Sequence, residues 1–137
     1  MSCFEKIDEI NAVCFFPSNF TRARRFYEDV FGFQPKRIQP TLENPNFIEY
    51  YFRGTTVGIW ERSAVAAIMG EENLLSEDAH NFLTSVKLKT PADVDEVCEE
   101  FEKRGVVFLA KPKAYRFGSY AMYVQDCDKN IWEFFAA

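Results

Sequence analysis

The sequence predicts an α+β protein in which two βαβββ modules form a half-open, curved, eight-stranded mixed sheet with the helices on its outer face. Two amphipathic segments share one helical pattern, an alternating strand precedes each, and three short β-like runs follow each. The glycines that end the two helices, Gly32 and Gly105, lie 73 positions apart. We therefore predict one domain over residues 1–137, with module 1 at about 8–62 and module 2 at about 80–137.

Both helices are predicted from their apolar stripes and their end signals. The second runs from Pro91 to Arg104, with Thr90 placed to cap it and Asp93 at the capping-box position. Its buried stripe is Val94, Val97, Cys98 and Phe101, and that of the first helix is Phe20, Ala23, Phe26, Tyr27, Val30 and Phe31.

The strands are predicted from alternating apolar residues between turn signals. Those of module 1 cover Ile10–Phe16, Pro35–Ile38, Phe47–Phe52 and Thr55–Glu61, and those of module 2 cover Phe82–Lys89, Val107–Lys111, Ser119–Gln125 and Ile131–Phe135. Residues 62–80 connect the modules, with a helical turn possible at Ala64–Met69.

Composition excludes several classes of protein. At 47% hydrophobic residues the chain can bury a core without disulfides, and its net charge of −5 argues against a nucleic-acid partner. Its apolar runs are too short to span a membrane, and acidic residues near the N-terminus argue against a signal peptide, so we expect a cytoplasmic protein. The four cysteines form no CxxC pair and are expected to be reduced thiols rather than zinc ligands.

Two stretches resemble motifs of the vicinal-oxygen-chelate (glyoxalase/bleomycin-resistance/dioxygenase) superfamily. NFTRARRFYEDVFGF, at Asn19–Phe33, resembles the "DLERSxxFYxxvLGF" helix that opens most of these domains. DCDKNIWE, at Asp126–Glu133, resembles their "DPDGNxxE" turn and strand, with Cys127 in place of the usual Pro and Lys129 in place of Gly. With the doubled βαβββ order, the resemblance covers nearly the whole chain.

The resemblance implies a divalent metal held by a His or Gln on the first strand and a Glu on the fourth strand of each module. The first-strand positions carried over to this chain are Ala12 in module 1 and Leu83, Thr84 or Ser85 in module 2, none of which is a usual ligand. The fourth-strand positions are Glu61 and Glu133. We therefore expect no family-type metal and no other cofactor, although Glu61 and Glu133 could hold Mg²⁺ or Mn²⁺ weakly. The single histidine, His80, is more simply a surface residue than a ligand.

Strand alternation and the resemblance together predict which side chains line a ligand pocket. The predicted lining is Cys14, Phe16, Glu61, Lys87, Tyr123 and Glu133. Glu133 interrupts an otherwise apolar strand and needs a partner or a role, which makes it the candidate general base, while Lys87 and Glu61 could equally be surface residues. The segment 113–118 is a candidate rim or lid.

Three functions fit these observations. The first is a metal-independent protein that binds a small aromatic or cationic molecule, as bleomycin-type resistance proteins do. The second is a metal-dependent enzyme of the superfamily (a lyase, isomerase or dioxygenase) with altered ligands, and the third is a structural or regulatory module with the same fold. The resemblance also implies a homodimer, and the net charge and the short apolar runs argue against a nucleic-acid or membrane partner.

Overall fold

The computed structural model of the chain describes residues 12–74, 83–115 and 119–137. Cys3, His80 and residues 116–118 of the predicted lid lie outside these ranges. The strands are β1 (Ala12–Phe15), β2 (Pro35–Gln39), β3 (Phe47–Phe52), β4 (Thr55–Trp60), β5 (Leu83–Lys87), β6 (Val107–Ala114), β7 (Tyr120–Gln125) and β8 (Ile131–Ala136). The helices are α1 (Phe20–Arg25), which continues as a π-helical turn (Phe26–Val30), α2 (Arg62–Met69), followed by a 3₁₀ turn (Glu71–Asn73), and α3 (Pro91–Lys103).

The described residues divide into two compact units. Unit 1 contains residues 12–20 and 33–73, and unit 2 contains residues 21–32 together with the described residues from 74 onward. Most of α1 and its π-helical turn therefore belongs to unit 2, although it follows β1 in the chain. In neither unit is any described helix long and apolar enough to cross a lipid bilayer.

Unit 1 is built on a four-stranded mixed sheet with the order β1-β4-β3-β2. The outer strand β1 is parallel to β4, and the other two pairs are antiparallel. One face of the sheet is a closely packed apolar layer because alternate residues of each strand point to the same side. The buried members of this layer are Phe15, Ile48, Tyr50, Val57 and Ile59.

Unit 2 repeats the same topology with the order β5-β8-β7-β6. β5 is parallel to β8, and α3 packs against β6, β7 and β8. The core is largely aromatic: Phe31 stacks on Phe101 with ring centroids 5.1 Å apart, and it meets Trp132 and Phe134 edge to face. This layer fixes β8 so that Trp132 and Phe134 point to the helices and the residues between them point away.

The observed element order confirms the predicted fold class, with the eight strands arranged as two four-stranded sheets. The capping box between Thr90 and Asp93, with Pro91 in the first helical turn, is present as predicted. Gly105 takes the predicted left-handed conformation after α3, at φ 74°. The connection after β4 is more ordered than the predicted turn, because residues 62–69 form a full helix, α2.

Candidate functional site

The two stretches that carry the family resemblance meet in unit 2. The Tyr27 hydroxyl, in the π-helical turn, donates a hydrogen bond to Oδ2 of Asp126, which follows β7. Both residues are almost fully buried. Burial, followed by the charge of Asp126, raises the pKa of Tyr27 well above its usual value, so the phenol remains a hydrogen-bond donor. The helix motif and the turn motif are therefore two parts of one structural contact.

The Asp126 carboxylate holds the turn between β7 and β8 through hydrogen bonds. Its Oδ1 accepts from the amides of Asp128 and Asn130, both at 2.9 Å. Its Oδ2 accepts, in addition to Tyr27, the side-chain amide of Asn130 and the indole N–H of Trp132, both at 3.0 Å. With five donors on one carboxylate, no acceptor capacity is left for a ligand, so Asp126 is a structural residue.

The centre of the candidate site is Glu133, on the face of the unit 2 sheet opposite the helices. The backbone register places Ser85, Glu133 and Tyr123 side by side on β5, β8 and β7, and we call these residues the Glu133 row. The Ser85 hydroxyl donates to Oε1 at 2.6 Å, and the Tyr123 hydroxyl donates to Oε2 at 2.5 Å. These two hydrogen bonds fix the orientation of the carboxylate.

In the part of the chain that the structure describes, no basic side chain pairs with the Glu133 carboxylate. Its two described hydrogen-bond partners are neutral hydroxyls, and no lysine or arginine of the described ranges forms an ion pair with it. The hydrogen bond to Glu133, followed by burial and the negative charge, raises the pKa of Tyr123 to about 12. Tyr123 therefore stays protonated at neutral pH and remains a hydrogen-bond donor to Glu133.

The surroundings of the Glu133 row are mainly apolar and aromatic. Ile131 and Phe135 flank Glu133 on the same face of β8 and are half-buried. The ring of Tyr115 meets that of Tyr123 edge to face, with centroids 5.9 Å apart, and the Lys113 ammonium lies 4.9 Å from the Tyr115 ring centroid. An ionised carboxylate among partly exposed rings and aliphatic side chains is an arrangement suited to a small molecule with an apolar body and a polar group.

The face of the unit 1 sheet opposite its buried apolar layer carries a different set of residues. Cys14, Gly58, Glu49 and Arg37 lie side by side on β1, β4, β3 and β2, and we call them the Gly58 row. Glu49 is buried, and its Oε1 accepts from Nη1 of Arg37 at 3.1 Å. Burial, followed by the charge of Glu49, raises the pKa of the Cys14 thiol. Cys14 is thus a poor nucleophile in this environment.

The six predicted lining residues are divided between the units. Cys14, Phe16 and Glu61 lie in unit 1, and Lys87, Tyr123 and Glu133 lie in unit 2. The structure brings together Tyr123 and Glu133. Phe16 contacts Trp60 edge to face with centroids 6.4 Å apart, which places it beside the Gly58 row. Lys87 is exposed at the end of β5, on the face that carries Ser85.

Glu61 lies one residue beyond β4, at the N-terminus of α2. Its carboxylate accepts a hydrogen bond from the Ser63 hydroxyl at 3.0 Å. Its backbone amide continues the pairing between β3 and β4 by donating to the Asn46 carbonyl at 2.8 Å. Glu61 therefore has a local structural role at the junction between strand and helix.

Sequence reasoning missed three residues of the Gly58 row. Glu49 stands in the run Phe47–Phe52, where a single charged residue among apolar ones is the same signal that singled out Glu133. Arg37 lies in a strand with alternating exposure, and nothing in the sequence marks it as the partner of Glu49. The role of Gly58 depends on cross-strand register, which only the structure supplies.

The residues present do not fit the metal ion that the superfamily implies. The first-strand neighbour of Glu133 is Ser85, whose hydroxyl donates to the carboxylate instead of offering an imidazole. Both Glu133 oxygens already accept hydrogen bonds. Within the described ranges, no three His, Cys, Asp or Glu side chains come close enough together to hold a metal ion.

Comparison with known proteins identifies the family. The sequence model of the Glyoxalase/Bleomycin resistance protein/Dioxygenase superfamily matches residues 9–134, and the chain belongs to this superfamily. A search among curated proteins found no match.

Solved structures with the same fold include three of different descriptions. A glyoxalase/bleomycin resistance protein/dioxygenase from Nocardioides has a TM-score of 0.78 at 21% identity, over 95% of this chain and 83% of that one. A glyoxalase-related enzyme from Fulvimarina pelagi also has a TM-score of 0.78, at 20% identity over 96% and 89% of the two chains. A lactoylglutathione lyase from Agrobacterium tumefaciens has a TM-score of 0.71, at 17% identity over 96% and 95%. At these identities the likeness extends to the fold alone.

Proposed function

We propose that this chain binds a small molecule that carries an aromatic ring and a positive charge, and that it does so at the Glu133 row without a family-type metal ion. The observation that carries the proposal is the Glu133 carboxylate, which is oriented by two neutral hydroxyls and has no described basic partner. A ligand cation supplies the missing counter-charge. The overall charge of −5 favours the approach of such a ligand.

The rings beside the carboxylate support an aromatic ligand. Tyr123 is half-buried beside Glu133, and its ring meets that of Tyr115 edge to face, so an aromatic ligand at the carboxylate would lie next to aromatic side chains. Phe135 adds an apolar surface on the other side of Glu133 along β8. A flat cation would pair with the carboxylate at its edge and contact a ring with its face.

The donor chemistry supports metal-independent binding. A metal ion would require the Glu133 oxygens to exchange the Ser85 and Tyr123 hydrogen bonds for coordination, and the strand beside it provides no imidazole. The Ser85 and Tyr123 hydroxyls instead hold the carboxylate as hydrogen-bond donors.

The test uses two probes with one ring skeleton, 1-methylquinolinium, which is a cation, and 1-methyl-2-quinolinone, which is neutral. We expect the cation to bind at least about tenfold more tightly to the wild-type chain, as judged by amide chemical shifts of Ser85 and Glu133 in NMR titrations. Glu133→Gln keeps the size of the side chain and removes its charge, so it should abolish the preference. Glu61→Gln, in unit 1, is the matched control and should retain it.

Equal binding of the two probes, or a preference that survives Glu133→Gln, would reject the proposal. Elemental analysis of protein purified without chelator completes the test. Near-stoichiometric metal in the wild type that disappears in Glu133→Gln would instead favour a metal-dependent enzyme of the superfamily with altered ligands.

A further inference from the structure

On the face of the unit 1 sheet opposite its buried apolar layer, a carboxylate is buried while aromatic side chains are partly exposed. Glu49 is only 7% exposed, whereas three aromatic side chains around it (Phe16, Phe47 and Trp60) are half-buried. Phe47 and Trp60 meet edge to face with centroids 5.9 Å apart, and Trp60 in turn contacts Phe16. Folding normally leaves carboxylates in water and buries rings, so the reverse arrangement calls for a reason beyond stability.

The ion pair beside these rings has unused hydrogen-bonding capacity. Oε1 of Glu49 accepts from Nη1 of Arg37, but in the described part of the chain Oε2 accepts no hydrogen bond. The Arg37 side chain is 56% exposed, and no described acceptor engages its Nε or Nη2. One acceptor and several donors therefore stand side by side on neighbouring strands, with their charges already balanced.

Gly58 brings the rings and the carboxylate together. A Cβ at this position would lie 3.1 Å from Sγ of Cys14 and 3.4 Å from the Phe47 ring. The absence of a side chain lets the Phe47 ring lie over the strand next to Glu49, with Cys14 on the other side. The Phe47 ring thus lies beside the Glu49 carboxylate instead of being held away from it by a side chain on β4.

We propose that the Gly58 row is a second ligand subsite, which takes a planar neutral ring whose edge carries an N–H donor next to an oxygen acceptor, as in a lactam. The N–H would donate to Oε2 of Glu49, the oxygen would accept from Arg37, and the ring would contact Phe47 and Trp60. Because Arg37 already neutralises Glu49, this subsite favours neutral rings, unlike the Glu133 row. The inference deepens the proposed function, since it rests on the chain being a small-molecule binder.

The experiment compares 2-quinolinone, a neutral lactam, with 1-methyl-2-quinolinone, which has the same ring and oxygen but no N–H. Binding is followed by the amide chemical shifts of Cys14, Glu49 and Gly58. We expect the lactam to bind about tenfold more tightly, because one hydrogen bond to a charged acceptor is lost in the methylated probe. Glu49→Leu should remove this difference.

Arg37→Leu provides a second variant, and because it removes the described partner of the buried Glu49, its amide spectrum is first checked for the native fold. It should weaken lactam binding severalfold, while Glu43→Leu, an exposed site in the same unit, should leave it unchanged. Failure of 2-quinolinone to shift the three amides, equal binding of the two probes, or undiminished discrimination in Glu49→Leu would each overturn the inference. The proposed function is tested separately, by the binding of 1-methylquinolinium at the Ser85 and Glu133 amides. Either proposal can therefore fail without the other.

Discussion

The Glu133 row of unit 2 and the Gly58 row of unit 1 each cross the strands of one of two sheets that have the same topology. In unit 2, Ser85, Glu133 and Tyr123 follow the strand order β5, β8, β7. In unit 1, the order β1, β4, β3 carries Cys14, Gly58 and Glu49. The acid of the row therefore lies on the second strand of the sheet order in unit 2 and on the third strand in unit 1.

This difference changes the electrostatic character of each row. The described partners of Glu133 are neutral hydroxyls, whereas Glu49 lies next to β2 and pairs with Arg37 at 3.1 Å. Two copies of one supersecondary unit can thus present a charged site and a neutral one without any change of backbone topology. The two sheets share their strand order, and the side chains on their faces determine the chemistry of each.

The largest expected effect comes from giving unit 1 the acid of unit 2. Gly58→Glu would force a side chain against Cys14 and Phe47 and would place a second carboxylate beside Glu49. We expect the free energy of unfolding to fall by roughly 3–5 kcal/mol, from overpacking and from a buried like charge. Chemical denaturation at neutral pH measures this change.

Thr56→Glu is the matched control for that substitution, since Thr56 lies on the same strand and face, two residues away, and is half-buried. It should cost less than about 1 kcal/mol, as most substitutions outside a packed contact do. If Gly58→Glu lowered the free energy of unfolding no more than Thr56→Glu does, the inference that side chains pack closely over Gly58 would be rejected.

The next effect concerns the titration of Tyr123. The hydrogen bond to Glu133 is the main cause of its pKa of about 12, so Glu133→Gln should lower this pKa toward the ordinary value of 10.0. The folded pKa lies above the unfolded one, so this contribution to stability is fully present below pH 10 and is lost as the pH rises from 10 to 12. Ultraviolet absorbance of tyrosinate against pH follows the transition.

Tyr123→Phe shows which part of the absorbance titration belongs to Tyr123. It removes this one phenol and should therefore remove only the transition assigned to it. A wild-type titration in which the Tyr123 phenol ionises near pH 10, unchanged by Glu133→Gln, would mean that the hydrogen bond does not form in solution. The Glu133 row would then lack the donor that orients its carboxylate.

A smaller effect is expected at Cys14, the thiol of the Gly58 row. Burial is the main cause of its raised pKa and Glu49 is the lesser one. Glu49→Gln should therefore lower the pKa only in part and raise the rate of iodoacetamide alkylation at pH 8 severalfold, since the thiolate is the reactive form. Peptide mass spectrometry resolves the individual cysteines.

Cys98 in unit 2 serves as the internal control for this measurement. Burial and the hydrogen bond to Glu102 raise its pKa, so Glu49→Gln should leave its alkylation rate unchanged. An equal acceleration at Cys14 and Cys98 would indicate a general loosening of the fold instead of an electrostatic effect of Glu49.

The sequence was sufficient for the fold because its signals are local. Period-two strands, the Thr90–Asp93 capping box and the glycines after the helices each depend on a few neighbouring residues. The sites depend on cross-strand register, which is not local. Glu133 was recognisable from the apolar strand around it, but its Ser85 partner is 48 positions away, and the pairing of Glu49 with Arg37 emerges only once β2 and β3 are aligned.

The smallest effect is expected in the turns that lead into β4 and β8. Unit 1 joins β3 to β4 through Gly54 at φ 86°, whereas unit 2 places Lys129 at φ 65° before β8, where the family motif has glycine. A left-handed conformation costs a residue with a Cβ about 1–2 kcal/mol, partly offset by the greater freedom of glycine in the unfolded chain. Lys129→Gly should therefore raise the free energy of unfolding by about 0.5–1 kcal/mol, as measured by chemical denaturation.

Gly54→Lys is the converse control. A Cβ at Gly54 meets nothing within 4 Å, so this substitution should destabilise the chain through the backbone alone. If Lys129→Gly destabilised the chain instead, the contacts of the Lys129 side chain would outweigh its backbone strain.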